Sequence, residues 1–169
     1  REDYLRCVET LRAAIPGLAL TTDVIVGFPG ETDAEFEETL SAVRAVGFDE
    51  AFTFKFSPRE GTPATRMPAE WAVPDEVAGA RLETLIETVR AGSRERNLGL
   101  LGARREVLIE KGAKRGELLQ GRSRDWKTIL IDGPESLVGS YMTVELTGTT
   151  GSTFTGTPVT ERAPLPMAG

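Results

Sequence analysis

Apolar residues recur at helical spacing in DYLRCVETLRAAI, where Tyr4, Val8, Leu11 and Ile15, with Leu5 beside them, form one stripe before Pro16-Gly17 stops the run. Cys7 borders that stripe, and the expectation for it is a small buried hydrophobe. LALTTDVIVG then reads as a short, largely apolar strand of the kind that helices cover on a parallel sheet. Thr32 followed three residues later by Glu35 is a capping-box pattern, which predicts a helix beginning at Asp33. Phe36, Leu40 and Val43 give that helix a buried stripe, and Gly47 falls where a left-handed C-terminal cap belongs. EAFTFKFS is a second strand, with Phe52, Phe54 and Phe56 on one face. Helix, strand, helix, strand is the rhythm of an α/β layer with parallel strands.

The periodicity breaks in PREGTPATRMPAEWAVP, a proline-rich connection. A long helix is predicted from Asp75 to Asn97, its buried face marked by Leu82, Leu85, Ile86 and Val89. Gly99 and Gly102 end the helical pattern, so the expected boundary separates a unit at 1–100 from a second at 101–160. In the second unit the texture changes. REVLIEKG, ELLQGRS, KTILIDG and YMTVELTG, with STFTGTPV as a fifth, are short strands separated by Gly, Asp-Gly or Gly-Pro turns. Four or five such strands in some 60 residues predict a small antiparallel, OB-like β-barrel. The tail at 161–169 has too little to bury and is expected to be disordered.

Composition narrows the chemistry. Net charge is −6, but residues 1–100 hold 11 basic and 18 acidic side chains, whereas residues 101–130 hold 8 basic and 4 acidic. A positive segment in an acidic chain points to an anionic partner more than the sum does. One cysteine among 169 residues excludes an internal disulfide and falls short of the thiolates an iron–sulfur cluster needs. There is no His, the commonest general base. No run is long and apolar enough to span a membrane, and the start REDYLRC is unlike a signal peptide; the expected setting is cytoplasmic.

The turn in TTDVIVGFPGETDAEFEETL is the most informative local feature. Gly27 and Gly30 around Phe28-Pro29 permit either a sharp corner or a close backbone approach to a ligand. No Gly-x-Gly-x-x-Gly or Gly-Lys-Ser/Thr pattern accompanies them, so this is not a nucleotide-phosphate fingerprint. Gly27 does sit at the C-terminal end of a strand, where α/β sheets place ligands. Asp23 interrupts the strand and must find donors on a neighbouring strand or face a cavity.

TTDVIVGFPGETDAEFEETL, AFTFKFSPREGTPA and the long helix after them closely resemble the MiaB-type methylthiotransferase branch of the radical S-adenosylmethionine enzymes, and GRSRDWKTILIDGP resembles their TRAM domain. The resemblance covers residues 1 to about 160. It implies a partial (β/α) barrel, the second half of the radical barrel, followed by an RNA-binding barrel. It further implies a whole enzyme that methylthiolates prenylated adenosine beside the tRNA anticodon, using S-adenosyl-L-methionine and two [4Fe-4S] clusters. The cluster-binding Cys-x-x-x-Cys-x-x-Cys motif is absent and Cys7 does not match it, so no cluster and no activity are expected of this chain alone. By the same resemblance the adenosyl part of the cofactor would lie against Ile25, Gly27, Phe28, Pro29 and Gly30, with Phe54 and Ser57 near the adenine, while Glu31 caps the helix. Arg59 would face the barrel mouth and meet a cofactor carboxylate or an RNA phosphate, or else hold the proline-rich loop by a salt bridge.

On the RNA side the candidates are Arg104, Arg105, Lys111, Lys114 and Arg115 from one hairpin, and Arg122, Arg124, Trp126 and Lys127 from the next. Basic groups beside an aromatic suit a phosphate backbone and an unstacked loop base, although Trp126 equally suits packing at the barrel edge. The expected partner is a tRNA anticodon arm. A stand-alone RNA-binding module and a methylthiotransferase acting on a ribosomal protein are the alternatives. The open sheet edges of an incomplete barrel further predict a homodimer or domain swap.

Overall fold

The computed structural model describes residues 1–113 and 118–159, and the expected disordered tail lies outside the described residues. The chain forms two compact units, Arg1–Arg94 and Glu95–Gly169.

The first unit runs α1 (Glu2–Ala14), β1 (Thr21–Val26), α2 (Asp33–Val46), β2 (Glu50–Lys55), two short 3-10 turns and most of α3 (Asp75–Leu98). β1 and β2 pair in parallel, from Thr21 opposite Glu50 to Val26 opposite Lys55. The capping box is complete: the Glu35 N–H donates to Thr32 Oγ1 at 3.2 Å and the Thr32 N–H to Glu35 Oε2 at 2.9 Å. Gly47 closes α2 in the left-handed conformation, φ 58°. The core comprises Val8, Val26, Phe36, Leu40, Val43, Val46, Phe48 and Leu85, with Val24, Leu82 and Val89 packed against it. Each fully buried side chain of this size contributes roughly 1.5–3 kcal/mol.

Two expectations change here. The β1 run looks apolar enough to be covered on both faces, yet only the Val24–Val26 side is. Ile25, Phe52 and Phe54 on the opposite face are 53%, 55% and 48% exposed, and Asp23 is exposed among them. In α1 only Val8 is buried and Leu5 half-buried, while Tyr4, Leu11, Ile15 and Cys7 are exposed. The helix buries one narrow edge, so a stripe of helical spacing exceeds the surface available to receive it.

The second unit contains the end of α3 and five strands, β3 (Arg104–Gly112), β4 (Leu118–Ser123), β5 (Thr128–Asp132), β6 (Tyr141–Thr149) and β7 (Thr153–Pro158). They close a barrel in the order β3-β4-β5-β7-β6, antiparallel except for the parallel β5–β7 pair. Strict alternation sends Val107, Ile109, Leu119, Ile129, Ile131, Val144, Leu146 and Phe154 inward. The pairing registers shift between Ile109 and Lys111 and between Leu146 and Gly148, leaving Glu110 and Thr147 as the extra residues. Asn97 at the end of α3 donates from Nδ2 to the Gly151 carbonyl at 2.6 Å, fixing the helix terminus to the β6–β7 turn.

Candidate cofactor loop and nucleic-acid interface

The Gly27–Gly30 turn is held mostly by its own chain. Gly27 adopts φ 73° and donates its N–H to Glu31 Oε2 at 2.7 Å. The same carboxylate oxygen accepts from Arg81 Nη1 at 2.8 Å, and the Glu31 carbonyl accepts from Nη1 at 3.0 Å. Arg81 Nη2 reaches Asp33 Oδ1 at 2.6 Å, and the guanidinium lies 5.5 Å from the Phe36 ring centroid. Burial opposes the charge on Arg81, but the hydrogen bonds to Asp33 and Glu31 outweigh it and hold the guanidinium above its ordinary range. The Gly30 N–H donates to the Trp71 carbonyl at 2.7 Å, and the Phe28 ring packs edge-on against Phe56 at 5.0 Å. A Cβ on Gly27 would lie 2.7 Å from the Cβ of Ala78 in α3. Both glycine amides are therefore committed within the chain, and no free N–H pair remains at these positions to cradle an anion.

What the turn does offer is apolar. Ile25, Phe28 and Phe54 are exposed at the C-terminal ends of the strands, with Ser57 and Arg59 exposed just beyond β2. Among the described residues Arg59 has no ion-pair partner; its carbonyl accepts from Thr62, and nothing there ties the guanidinium to the proline-rich loop. On the α3 side an open cleft of about 520 Å³ is lined by Pro29, Gly30, Glu31, Trp71, Val77 and Arg81. Flat apolar surface with one cation nearby fits a nucleoside carrying an acidic tail. The chain does not fit an iron–sulfur cluster: Cys7 is its one thiol, and no group of three or more metal-ligating side chains occurs among the described residues.

The barrel brings together most of the candidate cations. Arg122 Nε bonds Glu110 Oε1 at 3.1 Å, and its guanidinium sits 4.9 Å from the Trp126 ring centroid. Arg124 Nε bonds Glu106 Oε2 at 2.8 Å; that hydrogen bond and the nearby charge raise the Arg124 guanidinium further above its ordinary value. Arg104 pairs with Glu145 at 3.7 Å and Arg105 with Asp125 at 3.6 Å. Lys111 is exposed at the end of β3, with no ion-pair partner among the described residues. Lys114 and Arg115 lie outside the described residues.

Lys127 departs from the expected exposed cation. It is 8% exposed, and its backbone closes the β4–β5 turn. The Ser123 N–H donates to the Lys127 carbonyl and the Lys127 N–H to Ser123 Oγ, each at 3.1 Å, while Ser123 Oγ donates to Asp125 Oδ1 at 2.5 Å. That network projects Trp126 outward, 70% exposed and with φ 67°, the one non-glycine residue at positive φ among those described. At that exposure the Trp126 ring packs little against the barrel edge and lies against the Arg122 guanidinium.

Four participants escaped the sequence reading. Arg81 lies 50 positions from Glu31, and its helical register among Ala78, Leu82 and Leu85 was the available signal. Glu106 and Glu110 occupy outward positions of β3, so their pairing with outward arginines of the adjoining hairpin follows once the strands are registered. Tyr141 alternates with the inward Val144 side of β6 and is 67% exposed, an outward aromatic that strand alternation alone marks.

No protein-family model matches the chain. It is 44% identical over 146 residues to the tRNA-2-methylthio-N(6)-dimethylallyladenosine synthase of Caldicellulosiruptor saccharolyticus, which is 86% of this chain and 31% of that protein. The enzymes of the same name from Moorella thermoacetica and Geobacillus kaustophilus are 47% and 46% identical over 148 and 162 residues, covering 87% and 95% of this chain. The chain spans about a third of the length of these curated relatives, 33% and 30% of the last two.

Proposed function

We infer, from homology to the MiaB-type tRNA methylthiotransferases across most of its length, that this chain is a portion of such an enzyme, acting on prenylated adenosine next to the tRNA anticodon. The observation that carries the reading is the 44–47% identity to proteins of one name, extending through both units in one alignment. The relatives matched are named for a tRNA nucleoside, which weighs against a ribosomal protein as substrate.

Within that enzyme, the first unit supplies a wall of the reaction chamber. Ile25, Phe28 and Phe54 would take the flat faces of the cofactor's adenosyl group, and Arg59 its carboxylate, while Gly27, Pro29, Gly30 and Ser57 shape the rim. When bound, S-adenosyl-L-methionine and the two clusters supply the radical and sulfur-transfer chemistry; the thiolates for those clusters have to come from outside residues 1–169. The chain's own contribution is positioning and exclusion of water. The second unit, a TRAM-like barrel, holds the anticodon arm through Arg104, Arg105, Lys111, Arg122, Arg124 and Trp126.

The test is to express the whole reading frame that contains this chain in a bacterium whose tRNA lacks the 2-methylthio group, followed by mass spectrometry of digested tRNA. Restoration of the methylthiolated nucleoside is expected. Unmodified tRNA from cells containing the folded, cluster-loaded protein would overturn the assignment. The 169-residue chain alone is expected to leave the nucleoside unmodified.

A further inference from the structure

The outer face of the barrel made by β4, β3 and β6 is unusual in what it exposes and in how its charges are arranged. The registers set Arg122 opposite Leu108 and Leu108 opposite Tyr141, so the three lie in one row across three adjacent strands. Strand spacing puts the ends of that row roughly 10 Å apart. Trp126 stands at the Arg122 end, with the guanidinium stacked on it, and Tyr141 at the other; both rings are about two-thirds exposed. Trp126 is held in a backbone conformation that bulky residues avoid, fixed by the Ser123–Asp125–Lys127 hydrogen bonds. A ring kept outward in this way is not packing for the barrel, whose interior is filled by other side chains.

The arginines on the same face are not free. Glu110 holds Arg122, Glu106 holds Arg124, and these acids stand on β3 between the two aromatic ends. Each carboxylate takes the Nε of its arginine, so a phosphate approaching the Nη groups meets a charge already partly neutralised and competes with the glutamate for it. The electrostatic gain per phosphate is then reduced but not abolished, and stacking adds a share of binding on this face that salt does not screen. Aromatic rings offer that to any unpaired base, whereas bases inside a duplex have no free face.

We propose that Trp126 and Tyr141 are paired stacking posts for two unpaired bases of an RNA loop, and that Glu106 and Glu110 compete intramolecularly with the RNA phosphates for Arg122 and Arg124. This deepens the RNA-binding reading of the barrel and rests on it. The occupant is a single-stranded RNA segment: its bases complement the aromatic ends and its phosphates the arginines between. The carboxylates weaken affinity for polyanions in general and leave a preference for strands whose bases are splayed out.

The test uses the full chain and a fluorescein-labelled 12-nucleotide oligoadenylate, with affinity measured by anisotropy over a range of KCl concentrations. Tyr141→Leu and Trp126→Leu should each lose affinity roughly tenfold or more, the scale of one stacked base. Tyr141→Phe should retain affinity, which separates stacking from loss of the hydroxyl. The Glu106→Gln, Glu110→Gln double variant should bind more tightly and show a steeper fall of log affinity with log salt, because its arginines are released to phosphate. Thermal melts confirm that each variant is folded. Wild-type affinity in a folded Tyr141→Leu variant, or weaker binding by the double Glu variant, would overturn this proposal alone. Binding of heparin as tightly as the oligonucleotide would overturn the stacking account. A wild-type chain that binds neither the oligonucleotide nor an anticodon stem–loop would overturn both this and the RNA reading beneath it.

Discussion

Replacing Gly27 by alanine probes the turn at the end of β1 with a perturbation whose size follows from geometry. Gly27 has φ 73°, where an L-residue carries a steric penalty of about 1–2 kcal/mol. The added Cβ would also come to 2.7 Å from the Ala78 Cβ, an atom fixed to the α3 backbone that cannot swing aside. Overpacking of this kind costs about 1–3 kcal/mol, so the total is about 2–5 kcal/mol. The companion change Ala78→Gly removes the atom in conflict at about 1 kcal/mol of helix propensity. Gly27→Ala with Ala78→Gly should therefore be less destabilised than the two single changes summed, by about 1–3 kcal/mol. Urea unfolding followed through Trp71, in a Trp126→Phe background, measures this in the unit that carries the substitution. At a slope of about 1–3 kcal/mol per molar, the midpoint of Gly27→Ala should drop by at least about 0.7 M. A single variant as stable as wild type would refute the reasoning. So would a double variant that is merely additive, since that removes the Ala78 contact from the account.

Arg81→Met should destabilise the first unit by about 3–5 kcal/mol, because it strands the largely buried Glu31 carboxylate without its partner; adding Glu31→Gln should recover part of that, as read in the same urea titration. Thr32→Ala should cost about 1 kcal/mol through loss of the cap. Thr32 also holds Glu35 below its ordinary carboxylate value, first by its backbone N–H and then by its hydroxyl. The Glu35 contribution is therefore present above the unfolded carboxylate value and lost as pH falls through the depressed folded one. Thr32→Ala keeps the backbone N–H and removes only the hydroxyl, so it should reduce that acid limb in part, not abolish it, in urea titrations run between neutral and acidic pH. Anaerobic reconstitution of the full chain with iron and sulfide should yield no stoichiometric four-iron cluster; one cluster per chain by metal analysis would contradict the reading of Cys7 as unrelated to the cluster motif.

Much of the architecture was legible because local signals agreed with one another. The Thr32–Glu35 box, Gly47 and the apolar spacing of Phe36, Leu40 and Val43 all define one helix, and α2 runs from Asp33 to Val46. The five barrel strands were marked by alternation and by their turns. Errors arose where burial depends on a partner surface that sequence does not measure. Tyr4, Leu11 and Ile15 have helical spacing but no surface to cover them, and Ile25 looks like a core residue yet faces outward with Phe52 and Phe54. The site was less legible for a related reason. Glu31 reads locally as a helix cap, and only the distant Arg81 turns it into an anchor. The basic segment reads as a patch of free charge, whereas registered strands set Glu106 and Glu110 against its arginines.

The central claim, that the second unit is the RNA-binding part of a tRNA methylthiotransferase, is tested most directly by the salt dependence of binding to an anticodon stem–loop. Wild-type chain and a folded Arg122→Met, Arg124→Met variant would be titrated side by side across KCl concentrations. The account predicts measurable wild-type binding, weaker binding by the variant at every salt concentration, and a shallower slope of log affinity against log salt as phosphate contacts are lost. Identical affinities and slopes for the two folded proteins, or no binding by either, would contradict it.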